Sequence, residues 1–271
     1  MDYKIIVDSS SDLTPELEQK MGIVTVPLHL RLGQQEYMDD AELDLAAFME
    51  EMAACKEKVG TSAATPAAFS DVMTQDAFVV TLSAKLSATY SSAMLAAKDA
   101  LADIHVFDSK SASAGGTLVA LKVRELVSKG LPKPQIIEGV NSFIDNMKTY
   151  LVLERFENLI RNGRLGVVKG RIASMLNVKL LLGADGQGEI GLYAKVRGTK
   201  AVLDKMVSLI GDSGRKTSGE NAVISHCNNQ SLADQLAGMI RARFDFKEIF
   251  IIPTRGTSSL YADNKGIILA F

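Results

Sequence analysis

Short apolar runs alternate with amphipathic segments through the first half of the chain. The runs YKIIV at 3–7, AFVVTL at 77–82 and IHVFD at 104–108 are rich in β-branched and aromatic residues and predict strands. Helical periodicity separates the strands; in Leu43–Cys55, for example, the apolar residues fall on one face of a helix. This alternation predicts a mostly parallel sheet that is covered by helices.

The pattern changes after about residue 150. The runs VKLLLGA and GEIGLYAKV flank Asp185–Gly186, a strong turn pair, so this segment predicts a hairpin. We therefore predict an α/β fold of two lobes. The N-terminal lobe, residues 1–148, has a mostly parallel sheet with helices, and the C-terminal lobe, residues 149–271, has a mixed or antiparallel sheet with helices. A cleft between lobes is the usual place for a ligand.

The amino-acid composition limits the kinds of partner and compartment that we expect for this protein. The 271 residues carry a formal net charge of −2 and are 47% hydrophobic, which gives no reason to expect nucleic acid. The two cysteines, Cys55 and Cys227, form neither a disulfide framework nor a zinc-ligand spacing. No run reaches the roughly 18 apolar residues of a membrane span, and the N-terminal segment lacks the features of a signal peptide. We expect a cytoplasmic protein with no metal, no cofactor and at most transient membrane contact.

Hydroxyl side chains are concentrated at two points where an apolar run gives way to a helical pattern. Thr61 and Ser62 lie in VGTSAATP, and Ser83, Ser87 and Thr89 lie in LSAKLSATYSS. Hydroxyls beside the free N–H groups of a helix N-terminus can hold an anion without any base. We interpret these side chains as binding groups on neighbouring elements of one sheet, with ordinary helix capping as the alternative.

A catalytic role for the same hydroxyls, or for Asp8, is the competing hypothesis. A hydroxyl nucleophile needs a base within hydrogen-bond reach. The three histidines all lie in strand-like segments and do not indicate such a base: His29, His105 and His226. Asp8 ends the first strand as an aspartyl nucleophile would, but Ser10 stands where a phosphatase has its second aspartate. We interpret Asp8 as the cap of a turn; a hydrolase or phosphotransferase that uses Asp8 or the Ser83–Ser87 loop stays open.

Eight segments along the whole chain match one protein family in order: IIVDSSSDL, IVTVPLHL, VGTSAATPAAF, LSAKLSATYSSA, VFDSKSASAGG, NGRL, the hairpin end KVRG, and TRGTSSLY. On these segments the chain resembles the DegV family of bacterial fatty-acid-binding proteins, which includes the acyl-carrier subunits of fatty acid kinase. The resemblance implies two α/β lobes with a long-chain fatty acid buried between them. It also implies a non-catalytic subunit that presents the acyl carboxylate to a separate ATP-binding kinase subunit.

The resemblance also implies which residues hold the carboxylate. Thr61 and a serine of the 83–87 loop are expected to bond it, and the candidate hydroxyls are Thr61, Ser62, Ser83, Ser87 and Thr89. The family's usual glycine in this loop is replaced by Ala88, so we expect a less permissive turn.

Three arginines complete the candidate site. Arg255 stands where many family members have a histidine near the head group, and its fixed charge would pair with a carboxylate or an acyl phosphate. A surface arginine is the alternative for this position. Arg164 and Arg197 match positions where the family keeps arginines, which implies support of the head group or docking of the kinase. A solvated charge at a hairpin end is the alternative for Arg197.

Overall fold

The computed structural model describes residues 3–165 and 178–271, and the elements below are those of these two ranges. The strands are β1 (Lys4–Asp8), β2 (Ile23–Val26), β3 (His29–Leu32), β4 (Gln35–Met38), β5 (Val59–Ser62), β6 (Ala77–Thr81), β7 (Ile104–Asp108), β8 (Thr149–Val152), β9 (Val178–Ala184), β10 (Ile190–Arg197), β11 (Asn221–His226), β12 (Glu248–Pro253) and β13 (Ile267–Ala270). The helices are α1 (Pro15–Met21), α2 (Leu45–Ala54), α3 (Pro66–Ser70), α4 (Thr89–Asp99), α5 (Ala114–Ser128), α6 (Lys133–Asn146), α7 (Glu157–Arg161), α8 (Thr199–Asp212), α9 (Gln230–Arg241) and α10 (Gly256–Ala262).

The first half of the chain builds a parallel sheet with the strand order β2-β1-β6-β7. Every residue of β6 is buried, as is usual for parallel strands that are covered on both faces. The carboxyl ends of β1, β6 and β7 meet at one edge, so the polar loops that follow Asp8, Thr81 and Asp108 lie together. This edge is where open α/β sheets bind ligands.

The second half builds a six-stranded mixed sheet with the order β10-β9-β8-β13-β11-β12. Its neighbours are antiparallel except for β11 and β12, which run parallel. One parallel and one mixed sheet, both packed with helices, confirm the predicted α/β class. The hairpin of β9 and β10 forms as predicted around the loop 185–189, where Gly186 and Gly188 have positive φ. The division into lobes at residue 148 stays a prediction.

A small antiparallel sheet with the order β4-β3-β5 corrects one expectation. Thr61 lies in β5 of this sheet, whereas Ser83 follows β6 of the parallel sheet. The prediction that the two hydroxyl-rich segments lie on neighbouring elements of one sheet is therefore wrong. The physical reason is that the apolar run 23–32 divides at Pro27, which has no N–H for a ladder, and its two halves join different sheets.

Helix α5 joins the parallel and the mixed sheets. It packs against β1 and β6 on one side and against β11 and β13 on the other. A Cβ on Gly115 would lie 2.1 Å from the Ser111 hydroxyl, and one on Gly116 would lie 2.7 Å from the Ser11 hydroxyl. Only glycine allows the helix to approach these polar turns so closely. A single apolar cluster consequently runs from the parallel sheet into the mixed sheet.

Within the part of the chain that the structure covers, no helix is both long and apolar enough to cross a bilayer.

Candidate functional site

A cavity of about 870 Å³, counting its opening to solvent, lies where the three sheets meet. Its walls come from the loops after β1, β6 and β7, from β5, β8, β9 and β13, and from α10. The lining is dominated by aliphatic side chains: Leu28, Leu82, Leu86, Ala112, Leu151, Leu153, Leu159, Ala184, Ile190, Ala262 and Ile268. The cavity is therefore suited to a hydrocarbon group.

Two hydroxyls from distant parts of the chain meet in the wall of this cavity. Thr61 on β5 and Tyr261 on α10 share a hydrogen bond of 3.0 Å between their hydroxyl oxygens. One hydroxyl hydrogen is used in this bond, so whichever residue accepts keeps its own hydrogen for another acceptor. The pair can thus donate to a carboxylate in the cavity.

Arg164 adds a cation to the lining. Its Nε donates to the carbonyl oxygen of Leu86 at 3.1 Å, and Nη1 donates to the carbonyl oxygen of Asn162, so the guanidinium is held in place. Among the described residues, Arg164 has no carboxylate partner within salt-bridge distance, and no bond to its Nη2 is present. A guanidinium held in place beside an apolar cavity can pair with a carboxylate or a phosphate.

The loop after β6 contributes Ser87, one of the candidate hydroxyls, to the cavity wall. Thr89 holds the Ser87 side chain from behind. Their hydroxyl oxygens lie 2.9 Å apart, and Ser87 Oγ accepts the Thr89 backbone N–H at 3.3 Å. Ser87 lines the cavity, whereas Thr89 is fully buried behind it. Ala88 has φ −76°, a conformation open to any residue, so the expected cost of replacing the family's glycine is absent.

Ser83 closes the cavity instead of lining it. Its hydroxyl donates to the carbonyl oxygen of Gly188 at 2.7 Å and accepts the Lys85 N–H at 3.1 Å. Gly188 has φ +96°, and a Cβ there would lie 2.3 Å from Ser83 Oγ. The tip of the β9–β10 hairpin is therefore fastened onto the Ser83 loop, and Gly188 and Glu189 become part of the cavity wall.

Asp8 and Asp12 are fully buried in the turn that follows β1. Asp8 Oδ1 accepts from the N–H and the hydroxyl of Ser10, and Oδ2 accepts the Leu82 N–H at 2.7 Å. Burial raises the pKa of Asp8 to about 6 and that of Asp12 to about 7. Both oxygens of Asp8 are occupied by cap bonds, which agrees with the interpretation of Asp8 as a turn cap and leaves it no access to a substrate.

Besides Ser83 and Thr89, three further predicted site residues lie outside the cavity lining. Ser62 and Arg197 are exposed at the ends of β5 and β10. Arg255 does not lie where the head group was expected. Its Nη1 pairs with Glu18 Oε1 at 2.7 Å, and its backbone N–H donates to Asp12 Oδ1 at 2.8 Å. Its charge is thus paired with a carboxylate of α1, and its side chain does not line the cavity.

Tyr261 and Gly188 are parts of the site that were not predicted from the sequence. Tyr261 falls within the matched segment TRGTSSLY, and its spacing of four residues from Thr257 puts both on one face of a helix. The sequence spacing indicates this shared helix face, but it does not indicate that Tyr261 pairs with Thr61. Over residues 3–165 and 178–271, the structure holds no cluster of three or more His, Cys, Asp or Glu side chains that is arranged to bind a metal.

The chain has relatives along its whole length. The model of the DegV family of uncharacterised proteins matches residues 2–269. The chain belongs to the DegV family. A DegV domain-containing protein of Streptococcus pneumoniae is 31% identical over 282 aligned positions, covering 100% of this chain and 99% of the relative. The resemblance predicted from the eight sequence segments is confirmed.

Two solved structures of DegV proteins share the fold and hold a fatty acid. A DegV family protein from Ruminococcus gnavus with vaccenic acid has a TM-score of 0.93 and 34% identity, covering 99% of each chain. The Fatty Acid Kinase (Fak) B3 protein of Streptococcus pneumoniae, loaded with linoleic acid, has a TM-score of 0.91 and 30% identity, covering 100% of this chain and 99% of that one.

Proposed function

We propose that this DegV protein binds a long-chain fatty acid, with its tail in the apolar cavity and its carboxylate beside Arg164, Thr61 and Ser87. The observation that carries the proposal is the guanidinium of Arg164, which borders an aliphatic cavity without a carboxylate partner among the described residues. A ligand that matches both features has one anionic end and a long hydrocarbon chain. The fatty acids held by the relatives from Ruminococcus gnavus and Streptococcus pneumoniae support this assignment.

The tail supplies most of the affinity in this proposal. Each buried methylene contributes about 0.8 kcal/mol before ordering costs, so a sixteen-carbon tail gains on the order of 10 kcal/mol. A hydrogen bond to a charged group adds about 1.5–3 kcal/mol. The head group therefore sets the orientation of the ligand and its exposure to a partner.

The proposal includes a role as the binding subunit of a fatty acid kinase. The protein presents the acyl carboxylate to a separate ATP-binding subunit, which phosphorylates it, and has no turnover of its own. The similarity to the Fatty Acid Kinase (Fak) B3 protein of Streptococcus pneumoniae supports a kinase partner. The geometry around Asp8 and Ser83 supports the absence of turnover, because both side chains are committed to structural hydrogen bonds. A cytoplasmic location, where ATP is available, belongs to the same proposal.

Native mass spectrometry of the freshly purified protein tests the binding. The expected result is a stoichiometric adduct that solvent extraction identifies as a long-chain fatty acid. Arg164→Gln should reduce the occupancy, while Arg243→Gln, which removes an exposed arginine remote from the cavity, should leave it unchanged. A mass that stays bare after incubation with long-chain fatty acids would contradict the proposal.

The kinase role needs a second assay. The purified protein, a fatty acid and ATP are incubated with and without the ATP-binding subunit of a bacterial fatty acid kinase, and acyl phosphate is measured. Acyl phosphate should form only when all components are present. Formation without the kinase subunit would instead indicate an enzyme and would return attention to Asp8.

A further inference from the structure

Four hydroxyl side chains lie together in the cavity wall: Ser10, Ser113, Thr257 and Ser258. The carbonyl oxygen of Ser10 joins three of them, because it accepts the Ser113 N–H at 2.7 Å and the Ser258 hydroxyl at 3.4 Å. We call these four residues the hydroxyl cluster.

Two members of the hydroxyl cluster have already donated their hydrogens to carboxylates, and Ser258 donates its own to the carbonyl oxygen of Ser10. Ser10 Oγ donates to Asp8 Oδ1 at 2.6 Å, and Ser113 Oγ donates to Asp12 Oδ2. A serine that donates to a carboxylate keeps only lone pairs for other contacts. These serines therefore offer acceptors, and a ligand group that meets them has to be a donor.

The hydroxyl of Thr257 has no hydrogen-bond partner among the described residues, which is independent evidence for a polar ligand group. The residue lines the cavity and is 3% exposed. Its backbone N–H, by contrast, donates to Asp39 Oδ2 at 2.9 Å. A buried hydroxyl without a partner loses its bonds to water, a cost that a polar ligand group would remove.

The charge of the carboxyl groups behind the hydroxyl cluster limits which kind of ligand group can bind there. Asp8, Asp12 and Asp39 are all fully buried there, and Asp39 also accepts the Ser9 hydroxyl at 2.8 Å. Burial raises the pKa of Asp8 to about 6 and that of Asp12 to about 7, so at neutral pH Asp8 is mostly ionised and Asp12 is about half protonated. Negative charge behind the cluster disfavours a second anion, which leaves a neutral hydrogen-bond donor.

We propose that the hydroxyl cluster recognises an alcohol group on the acyl chain, so that the protein prefers hydroxy fatty acids to unsubstituted ones. An alcohol can donate to the serine oxygens and also accept from Thr257, whereas a ketone or a carboxylate cannot donate. The inference rests on the proposed function, which supplies the acyl chain and the position of its carboxylate.

The position of the alcohol follows from α10. Thr257 and Tyr261 are four residues apart, so they lie on the same helix face and are separated by roughly 6 Å along the axis. Tyr261 marks the carboxylate end through its bond to Thr61. The recognised hydroxyl therefore belongs to the half of the acyl chain nearest the carboxyl group.

Calorimetric titration of the delipidated full-length protein tests the preference. The ligands are octadecanoic acid, a derivative with a hydroxyl in the carboxyl-proximal half of the chain, and the ω-hydroxy derivative. The carboxyl-proximal hydroxy acid should bind about 3- to 10-fold more tightly than octadecanoic acid. The ω-hydroxy acid should bind more weakly than octadecanoic acid, because its hydroxyl would be buried among aliphatic side chains.

Variants assign the preference to the hydroxyl cluster. Thr257→Val should bring the affinity ratio of the two acids close to one. Thr149→Val is the matched control: Thr149 also lines the cavity, but its hydroxyl is paired with that of Ser111 at 2.8 Å. The control should change both affinities by the same factor. Ser258→Ala replaces Thr257→Val if that variant does not fold.

The comparison on the unaltered protein separates the two proposals. If octadecanoic acid binds at least as tightly as the carboxyl-proximal hydroxy acid, the preference is overturned and the fatty acid site stands. If neither acid binds, the proposed function itself is overturned.

Discussion

Thr61 and Tyr261 are 200 positions apart in the chain, and their hydroxyl oxygens lie 3.0 Å from each other in the wall of the cavity. The bond links β5 of the small antiparallel sheet to α10, which packs against the same sheet. The bond restrains both side chains and leaves one hydroxyl hydrogen for an acceptor in the cavity. In the proposed function this hydrogen is donated to the carboxylate of the fatty acid.

The first prediction concerns this pair. Thr61→Val and Tyr261→Phe should each weaken fatty acid binding by about 3- to 10-fold, because each removes a hydroxyl of the pair. The double variant should lose less than the product of the two losses, since each hydroxyl holds the other in place. Calorimetric titration measures the affinities, with the corresponding fatty alcohol as a ligand that lacks the carboxylate. Equal losses for the acid and the alcohol would show that the pair does not read the head group.

The second prediction concerns the hairpin tip. Gly188→Ala should lower the free energy of unfolding by about 2 kcal/mol, because the new methyl group would meet Ser83 Oγ and the residue has positive φ. Gly186→Ala is the matched control: φ is +87°, but nothing lies within 4 Å of the point that its methyl group would occupy. Its loss should be smaller, about 1 kcal/mol, because only the positive φ opposes the alanine. Urea unfolding measures both, and equal losses would contradict the contact with Ser83.

The third prediction concerns pH. Burial raises the pKa of Asp12 from 3.8 to about 7 in the folded protein. Because the folded state holds this proton more tightly than the unfolded state, its contribution to stability is full below about pH 4 and is lost as the pH rises through 7. Asp12→Asn should remove this contribution, and asparagine tolerates the positive φ of the site.

The measurement for Asp12 is a series of urea unfolding curves between pH 4 and 8. The free energy of unfolding of the unaltered protein should fall relative to that of Asp12→Asn as the pH rises. Taking the difference between the free energies of unfolding of the two proteins cancels the contributions of the other titrating groups. Asp99→Asn, at the exposed end of α4, is the control and should follow the unaltered protein. A constant difference for Asp12→Asn over this pH range would contradict the prediction.

The fourth prediction tests the corrected position of Arg255. The side chains of Arg255 and Glu18 are 14% and 23% exposed, and they form an ion pair of 2.7 Å. Arg255→Gln and Glu18→Gln should each lower the free energy of unfolding by about 1 kcal/mol, and a double-mutant cycle should show that the losses are shared. Fatty acid affinity should not change. A large loss of affinity in Arg255→Gln alone would return this arginine to the head-group site.

Local patterns predicted much of the fold. The parallel sheet follows from apolar runs separated by helical periodicity, and the β9–β10 hairpin follows from its turn pair, because both signals lie within a few residues of each other. The strand β5 carries no such signal: VGTS is short and half polar. It exists because β3 pairs with it, a tertiary contact that no local pattern contains.

The same distinction applies to the site. Thr61, Ser87 and Arg164 could be nominated because they fall in segments that match a family, and all three line the cavity. Arg255 was nominated in the same way and lies elsewhere, because Glu18 on α1 is close enough to pair with it. A motif specifies which residue is present, whereas its role depends on partners that arrive from other parts of the chain. Tyr261 and Gly188 were missed for that reason.

The walls of the cavity come from segments that extend from Ser10 to Ile268. A molecule that fills the cavity therefore holds both ends of the chain together, and it can do so only in the folded state. Each tenfold increase in free ligand above its dissociation constant stabilises the folded state by about 1.4 kcal/mol. In a cell, copies that stay empty unfold more often and are degraded sooner by proteases. The amount of this protein in the cell would then rise with the supply of its ligand.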